Sequence, residues 1–175
     1  ERGHVWPEKV CTIAAEHGHW EVLKYANESG AAWDSTAAAM AAKYGHLDCL
    51  QYLHKNGCRW ESDTIVEASL GRIECLQYAL QNKCPADKNG FALPAAISGG
   101  HLGCVLLLRK YGYSWPRNLF GDNRSKLHAR IRCSEELLQS ILMYALADGW
   151  MWSSSMVEEL AEVGYADTLR MAIDS

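Results

Sequence analysis

Apolar and polar positions along the chain follow a helical period that glycines interrupt at regular distances. In residues 34 to 60, Asp34, Ser35 and Thr36 are good N-caps, and "DSTAAAMAAKY" continues as an alanine-rich run of helix formers up to Gly45. Gly45 supplies the freedom for a tight turn. The stretch "LDCLQYLHKNG" then carries apolar residues at 47, 49, 50, 52 and 53 and closes on Asn56-Gly57, a C-terminal stop. The pattern predicts a short first helix, a turn and a second, amphipathic helix. Paired alanines, Ala14 with Ala15 and Ala41 with Ala42, are small enough to let neighbouring first helices approach closely.

The same pattern recurs in register. "EHGHWEVLKYANESGAAW" (16 to 33), "KYGHLDCLQYLHKNGCRW" (43 to 60), "SLGRIECLQYALQNKCPA" (69 to 86) and "SGGHLGCVLLLRKYGYSW" (98 to 115) align without a gap. Trp6, Trp33 and Trp60 are 27 residues apart, Ala86 takes the next place, and Trp115 and Trp152 follow. The key glycines are Gly18, Gly45, Gly71, Gly100 and Gly164, while "LLQSILMYALADGWMW" (137 to 152) is a degenerate copy without one. The expected division of the single array, 1–175, is a partial repeat at 1–6, units of about 7–33, 34–60, 61–86, 87–115 and 116–152, and an incomplete unit at 153–175. Because one helix pair cannot bury its own apolar face, the units are expected to stack into an all-α helix-turn-helix solenoid. Residues 1–6 match "HKNGCRW" and 169–175 stop inside a second helix, so the reading expects a window on a longer array.

"AAEHGH" and "AAKYGH", followed by "LDCLQYL" and the Asn-Gly stop, resemble the ankyrin repeat family over nearly the whole chain, weakly from 116 to 140. Two features depart from that family: the "TPLH" opening is missing, and the period is about 27 rather than about 33 residues. The shortening falls where ankyrin repeats carry a protruding β-hairpin, here a short turn around "GCRWESD". The variant is similar to short ankyrin-like repeats of large DNA viruses of protists and of some algae and oomycetes. The resemblance implies a protein–protein interaction scaffold. It also leaves open the substrate-recruiting part of an F-box-type ubiquitin ligase adaptor, or an architectural subunit of a large assembly.

Composition narrows the function classes. Seventeen basic residues against 21 acidic ones leave no global field toward nucleic acid or an anionic membrane. No segment approaches the roughly 20 apolar residues that span a bilayer, and the first twenty residues show no signal-peptide pattern. Seven cysteines, an odd number spread through helical sequence, point to reduced thiols in a cytosolic or nuclear setting, with the cytoplasm expected, that of the host cell if the source is viral. His46, Cys49, His54 and Cys58 crowd one stretch as zinc ligands would, yet Val22, Ile141 and Thr168 stand in the place of Cys49, and Leu138 in that of His46. Apolar side chains cannot donate electrons to a metal, so Cys49 reads as a small core residue. Cys49 and His54, five residues apart, would also point about 140° away from each other on a helix. The reading therefore expects no metal, no cofactor and no small-molecule substrate. Phosphate-loop, HExxH and GxSxG patterns are absent from the sequence, so it expects no enzyme and no catalytic residue.

Binding residues are expected where the repeats disagree. Six before the key glycine stand Thr12, Ala39, Ile65, Pro94 and Glu158; two before it stand Glu16, Lys43, Ser69, Ser98 and Glu162. The two rows, four residues apart, share a helix face. Glu16, Ala39, Lys43, Ile65 and Ser69 are the expected partner contacts on a concave face, against the plainer reading of a solvated face free to vary. The tryptophan row is expected to pack each unit onto the next. From Gly100 to Leu137 the unit is about ten residues too long, and the excess, 116 to 133, carries Arg117, Arg124, Lys126, Arg130 and Arg132 against one aspartate. This insertion is +4 (5 − 1) while the rest of the chain is −8 (−4 − 4). It is expected either to dock on an acidic or phosphate-bearing partner or to brace against Glu135, Glu136 and Asp148. A protein partner is favoured over nucleic acid, because Phe120 is the insertion's one aromatic for stacking a base.

Overall fold

The computed structural model describes residues 6, 7, 9–116 and 133–174, and among them every regular element is an α-helix. The chain divides into two compact units, 1–89 and 90–175.

The first unit holds α1 (Val10–Glu16), α2 (Trp20–Glu28), α3 (Ser35–Tyr44), α4 (Leu47–Lys55), α5 (Ser62–Ala68) and α6 (Ile73–Gln81). Each odd helix pairs with the even helix after it, α1, α3 and α5 lie side by side, and α4 packs on both α2 and α6. The alanines explain the close odd row: Ala14, Ala15, Ala37, Ala38, Ala41 and Ala42 are all buried. Leu23, Leu50, Leu53 and Leu76 fill the layer between the odd and even helices, each with no exposed surface. A buried leucine of this kind contributes about 1.5–3 kcal/mol through area removed from water. Of the three cap candidates at the start of α3, Asp34 takes the part, its Oδ1 accepting the Thr36 N–H at 2.9 Å.

The second helices α2, α4 and α6 end in one geometry. At the end of α4, the Gly57 N–H donates to the His54 carbonyl at 3.1 Å and the Cys58 N–H to the Leu53 carbonyl at 2.9 Å, with Gly57 at φ 80°. This is the Schellman arrangement, in which a left-handed residue lets two otherwise orphaned carbonyls find donors. It recurs after α2 at Gly30 and after α6 at Lys83, the one non-glycine residue of positive φ among those described.

The second unit holds α7 (Ala92–Ser98), α8 (Leu102–Lys110), α9 (Glu135–Ala147), α10 (Ser154–Val163) and α11 (Ala166–Asp174). Helices α7 and α8 pair, as do α10 and α11, and α9 packs on α7, α8 and α11. Its core is Leu93, Ile97, Val105, Leu108, Leu138, Ile141, Leu142 and Leu160. At 13 residues, α9 outruns the nine of the other second helices, and the cause is local. Leu137 stands where the key glycine would be, so no left-handed turn forms and the helix extends back to Ser134, whose hydroxyl caps the Leu137 N–H at 3.4 Å.

Candidate interaction surfaces

The variable rows of the first helices are only partly at the surface. Glu16 and Lys43 are half-exposed, but Ala39 is buried, and Ile65 and Ser69 have no exposed surface at all. The expectation that Ala39, Ile65 and Ser69 face a partner is therefore corrected. The physical reason is the close packing of the odd helices, which the small alanines allow and which turns these side chains into the layer between neighbours. Ser69 instead donates its hydroxyl to the Ile65 carbonyl at 2.7 Å, the local back-bonding of a buried serine.

The exposed row lies one residue further on, about 100° around the helix. Ile13, on α1, is 54% exposed and Tyr44, on α3, is 43% exposed. Met40 and Val66, in register with Ile13, and Leu70, in register with Tyr44, are half-buried. Together they make an apolar strip across the three odd helices of the first unit. A salt bridge from α3 to α5 borders it, Lys43 Nζ to Glu67 Oε2 at 3.8 Å. Where the strip reaches the turns it meets a shallow cleft of about 230 Å³ lined by Tyr44, Arg72, Ile73 and Glu74 among others. The signal for this row was present in the sequence as apolar residues one step outside the core pattern, at 13, 40, 66 and 70.

Behind the turns, side chains tether one helix pair to the next. His46 Nε2 lies 3.1 Å from the Glu16 carbonyl, and its counterpart Arg72 donates from Nε to the Lys43 carbonyl at 3.0 Å. In the second unit the counterpart Tyr165 donates its hydroxyl to the Cys133 carbonyl at 2.9 Å. The shared task is hydrogen bonding to a backbone carbonyl, at the end of a first helix for His46 and Arg72, which explains why the position takes His, Arg or Tyr. Gly18 must be glycine for a second reason besides its φ of 72°, since a Cβ there would run into the His46 ring.

The other residues of the zinc-like stretch also have packing roles. Cys49 is fully buried, and burial foremost, with the nearby Asp48 charge, pushes its thiol up to about 11. Cys58 donates its thiol to the Asp34 carbonyl at 3.2 Å, and its counterpart Cys84 to the Glu61 carbonyl at 3.3 Å. Burial pushes the Cys84 thiol up to about 12. Thiols so disfavoured as thiolates are poor nucleophiles and poor metal ligands. His54 stacks on Trp60 with ring centres 4.0 Å apart and sits 2.9 Å from the Tyr78 hydroxyl.

Four tryptophans of the row meet a tyrosine of the following second helix, while Trp152 meets Trp150 instead. Trp6 lies 6.0 Å from Tyr25, Trp33 6.1 Å from Tyr52, Trp60 6.0 Å from Tyr78 and Trp115 6.0 Å from Tyr144, the first three edge-to-face and the last tilted. Edge-to-face contacts place the positive ring edge on the negative face, worth about 0.5–1.5 kcal/mol beyond burial. In the sequence register Ala86 stands in the tryptophan place and Leu107 in the tyrosine place, so neither is aromatic.

Arg117, Arg124, Lys126, Arg130 and Arg132 lie outside the described residues. Two of the acidic groups expected to brace them have partners among the described residues. Asp148 Oδ2 accepts from Trp115 Nε1 and from Arg109 Nε, both at 2.8 Å, and these bonds hold its carboxyl below the usual carboxylate range. Glu135 Oε1 accepts the Asp167 N–H at 3.0 Å, the Thr168 N–H at 2.9 Å and the Thr168 hydroxyl at 3.1 Å, closing the start of α11.

Among the described residues these features define an all-α protein of helices packed in neighbouring pairs, and no described helix is long and apolar enough to cross a membrane. No protein-family model matches the chain, and no curated protein matches its sequence.

Proposed function

We propose that this chain is an ankyrin-like repeat module without catalytic activity, which works in a reducing cytoplasmic setting by binding a protein partner across its first helices. The observation that carries the reading is the apolar strip of Ile13, Met40, Val66, Tyr44 and Leu70, which crosses three helices in register and opens onto the cleft beside Arg72. Apolar side chains that recur at the surface in register, exposed at Ile13 and Tyr44 and half-exposed at Met40, Val66 and Leu70, are what a shared docking face requires. Repeat arrays present such faces because one unit stacks on the next at a fixed step. Glu16 and Lys43, on the adjoining row, would supply polar contacts at the rim.

A photo-crosslinking side chain placed at Tyr44 and, separately, at Gln77 on the opposite helix layer tests the reading. Crosslinks to one protein from position 44, absent from position 77 and lost on Ile13→Ser with an unchanged melting curve, are the expected result. Equal crosslinking from both positions, or none from 44, would sink it.

A further inference from the structure

The outward faces of the second helices follow one formula in α2, α4 and α6 and another in α8 and α9. Six residues after the key glycine, or after Leu137 in its place, stand Lys24, Gln51 and Gln77 in the first unit but Leu106 and Met143 in the second. Leu106 is 39% exposed and Met143 57% exposed. Three residues earlier the carboxylates of Glu21, Asp48 and Glu74 give way to Gly103 and Ser140. A solvated helix face has no reason to change this way, and α11 returns to the polar formula with Asp167 and Arg170.

The two altered helices are neighbours and run parallel. At their C-terminal ends, Asp148 bonds to Arg109 and Trp115. At their N-terminal ends, a Cβ on Gly100 would run into Cys133. Leu106 and Met143 therefore stand level, side by side, each three residues after a small one, Gly103 or Ser140. Charge is arranged by end. Among the described residues, exposed Glu136 shares the face of Met143, seven residues on, and puts a carboxylate at the N-terminal edge. Exposed Lys110 makes the C-terminal edge basic, while the carboxylate of Asp148 at that edge is held by Arg109.

We infer that the outward face of α8 and α9 is a twofold interface between two copies of this chain, with their helices antiparallel across it. A face acidic at one end and basic at the other complements a copy of itself turned end for end, whereas a parallel copy would set like charge on like. The apolar pair at the centre and the small residues beside it supply the surface to be covered. The inference uses other helices than the first-helix reading and stands or falls separately from it.

Sedimentation of the whole chain over a concentration series tests it. The wild-type chain is expected to sediment with the mass of two chains, and Leu106→Gln with Met143→Gln, which restores the residue type of the sister helices, with the mass of one. The dissociation constant should rise at least about tenfold, as expected for loss of a central apolar contact. Lys110→Glu should weaken the dimer, and Lys110→Glu combined with Glu136→Lys should recover it. A single-chain mass for the wild type at every concentration overturns the inference, and so does a dimer indifferent to the glutamine pair or a charge exchange that fails to recover it. Melting curves accompany each variant, and if the glutamine pair lowers the melting temperature, the charge exchange at the exposed helix ends decides alone.

Discussion

Gly57 and Lys83 occupy the same place after α4 and α6, both with left-handed backbone, and only one of them suits it. For an L-residue this conformation costs about 1–2 kcal/mol because the Cβ crowds the following carbonyl oxygen. No atom lies within 4 Å of a Cβ built on Gly57, so a substitution there meets backbone strain and nothing else. Gly57→Ala is expected to lower stability by about 1 kcal/mol, and Lys83→Gly to raise it by up to about 1 kcal/mol, less the freedom that glycine adds to the unfolded chain. Urea unfolding of both variants checks the pair. An unchanged midpoint for Gly57→Ala would mean that the left-handed cap bears no strain.

At the scale of elements, the joint between α9 and α11 shows how a lost glycine is used. Extension of α9 past the place of the missing turn carries Glu135 to the start of α11, where one carboxylate oxygen serves two backbone donors and a hydroxyl. An acid from another helix thus does the work of an N-cap residue, and its charge also suits the positive end of the helix dipole. Glu135→Ala is expected to cost about 0.5–2 kcal/mol, the range of a lost cap, with the loss concentrated in α11. Glu135→Gln keeps an accepting oxygen and should cost less. Hydrogen exchange of residues 166–174 checks this: faster exchange there in Glu135→Ala, with α8 unchanged, is the expected outcome, whereas uniform acceleration through the unit would contradict it.

For the whole molecule, the division at residue 89 predicts how damage adds. Leu50 and Leu142 are fully buried in different units. Each leucine-to-alanine change should cost about 2–5 kcal/mol, and the double variant should equal the sum within about 0.5 kcal/mol, as for sites without shared partners. A coupling above about 1 kcal/mol in a double-mutant cycle would show that the two cores act as one. Much of this organisation was legible in the chain beforehand. The helix pairs, the glycine turns, the Asp34 cap, the buried leucines and the recurrent tryptophans all follow from local rules, namely propensity, capping and period, which act within a few residues of the chain. The candidate surfaces were legible only in part, because a helix's own sequence does not say which sector its neighbours will cover. Tertiary packing turned Ile65 and Ser69 inward and left Ile13 and Tyr44 outside, a difference of one residue, since small alanines let the odd helices close on one another. It also gave His46 a carbonyl 30 residues earlier and Glu135 a helix start 32 residues later, pairings that no local pattern encodes. The sequence alone determined which segments are helices and where they stop; the tertiary structure decided which faces are left to meet a partner, because burial depends on the distance of closest approach between helices.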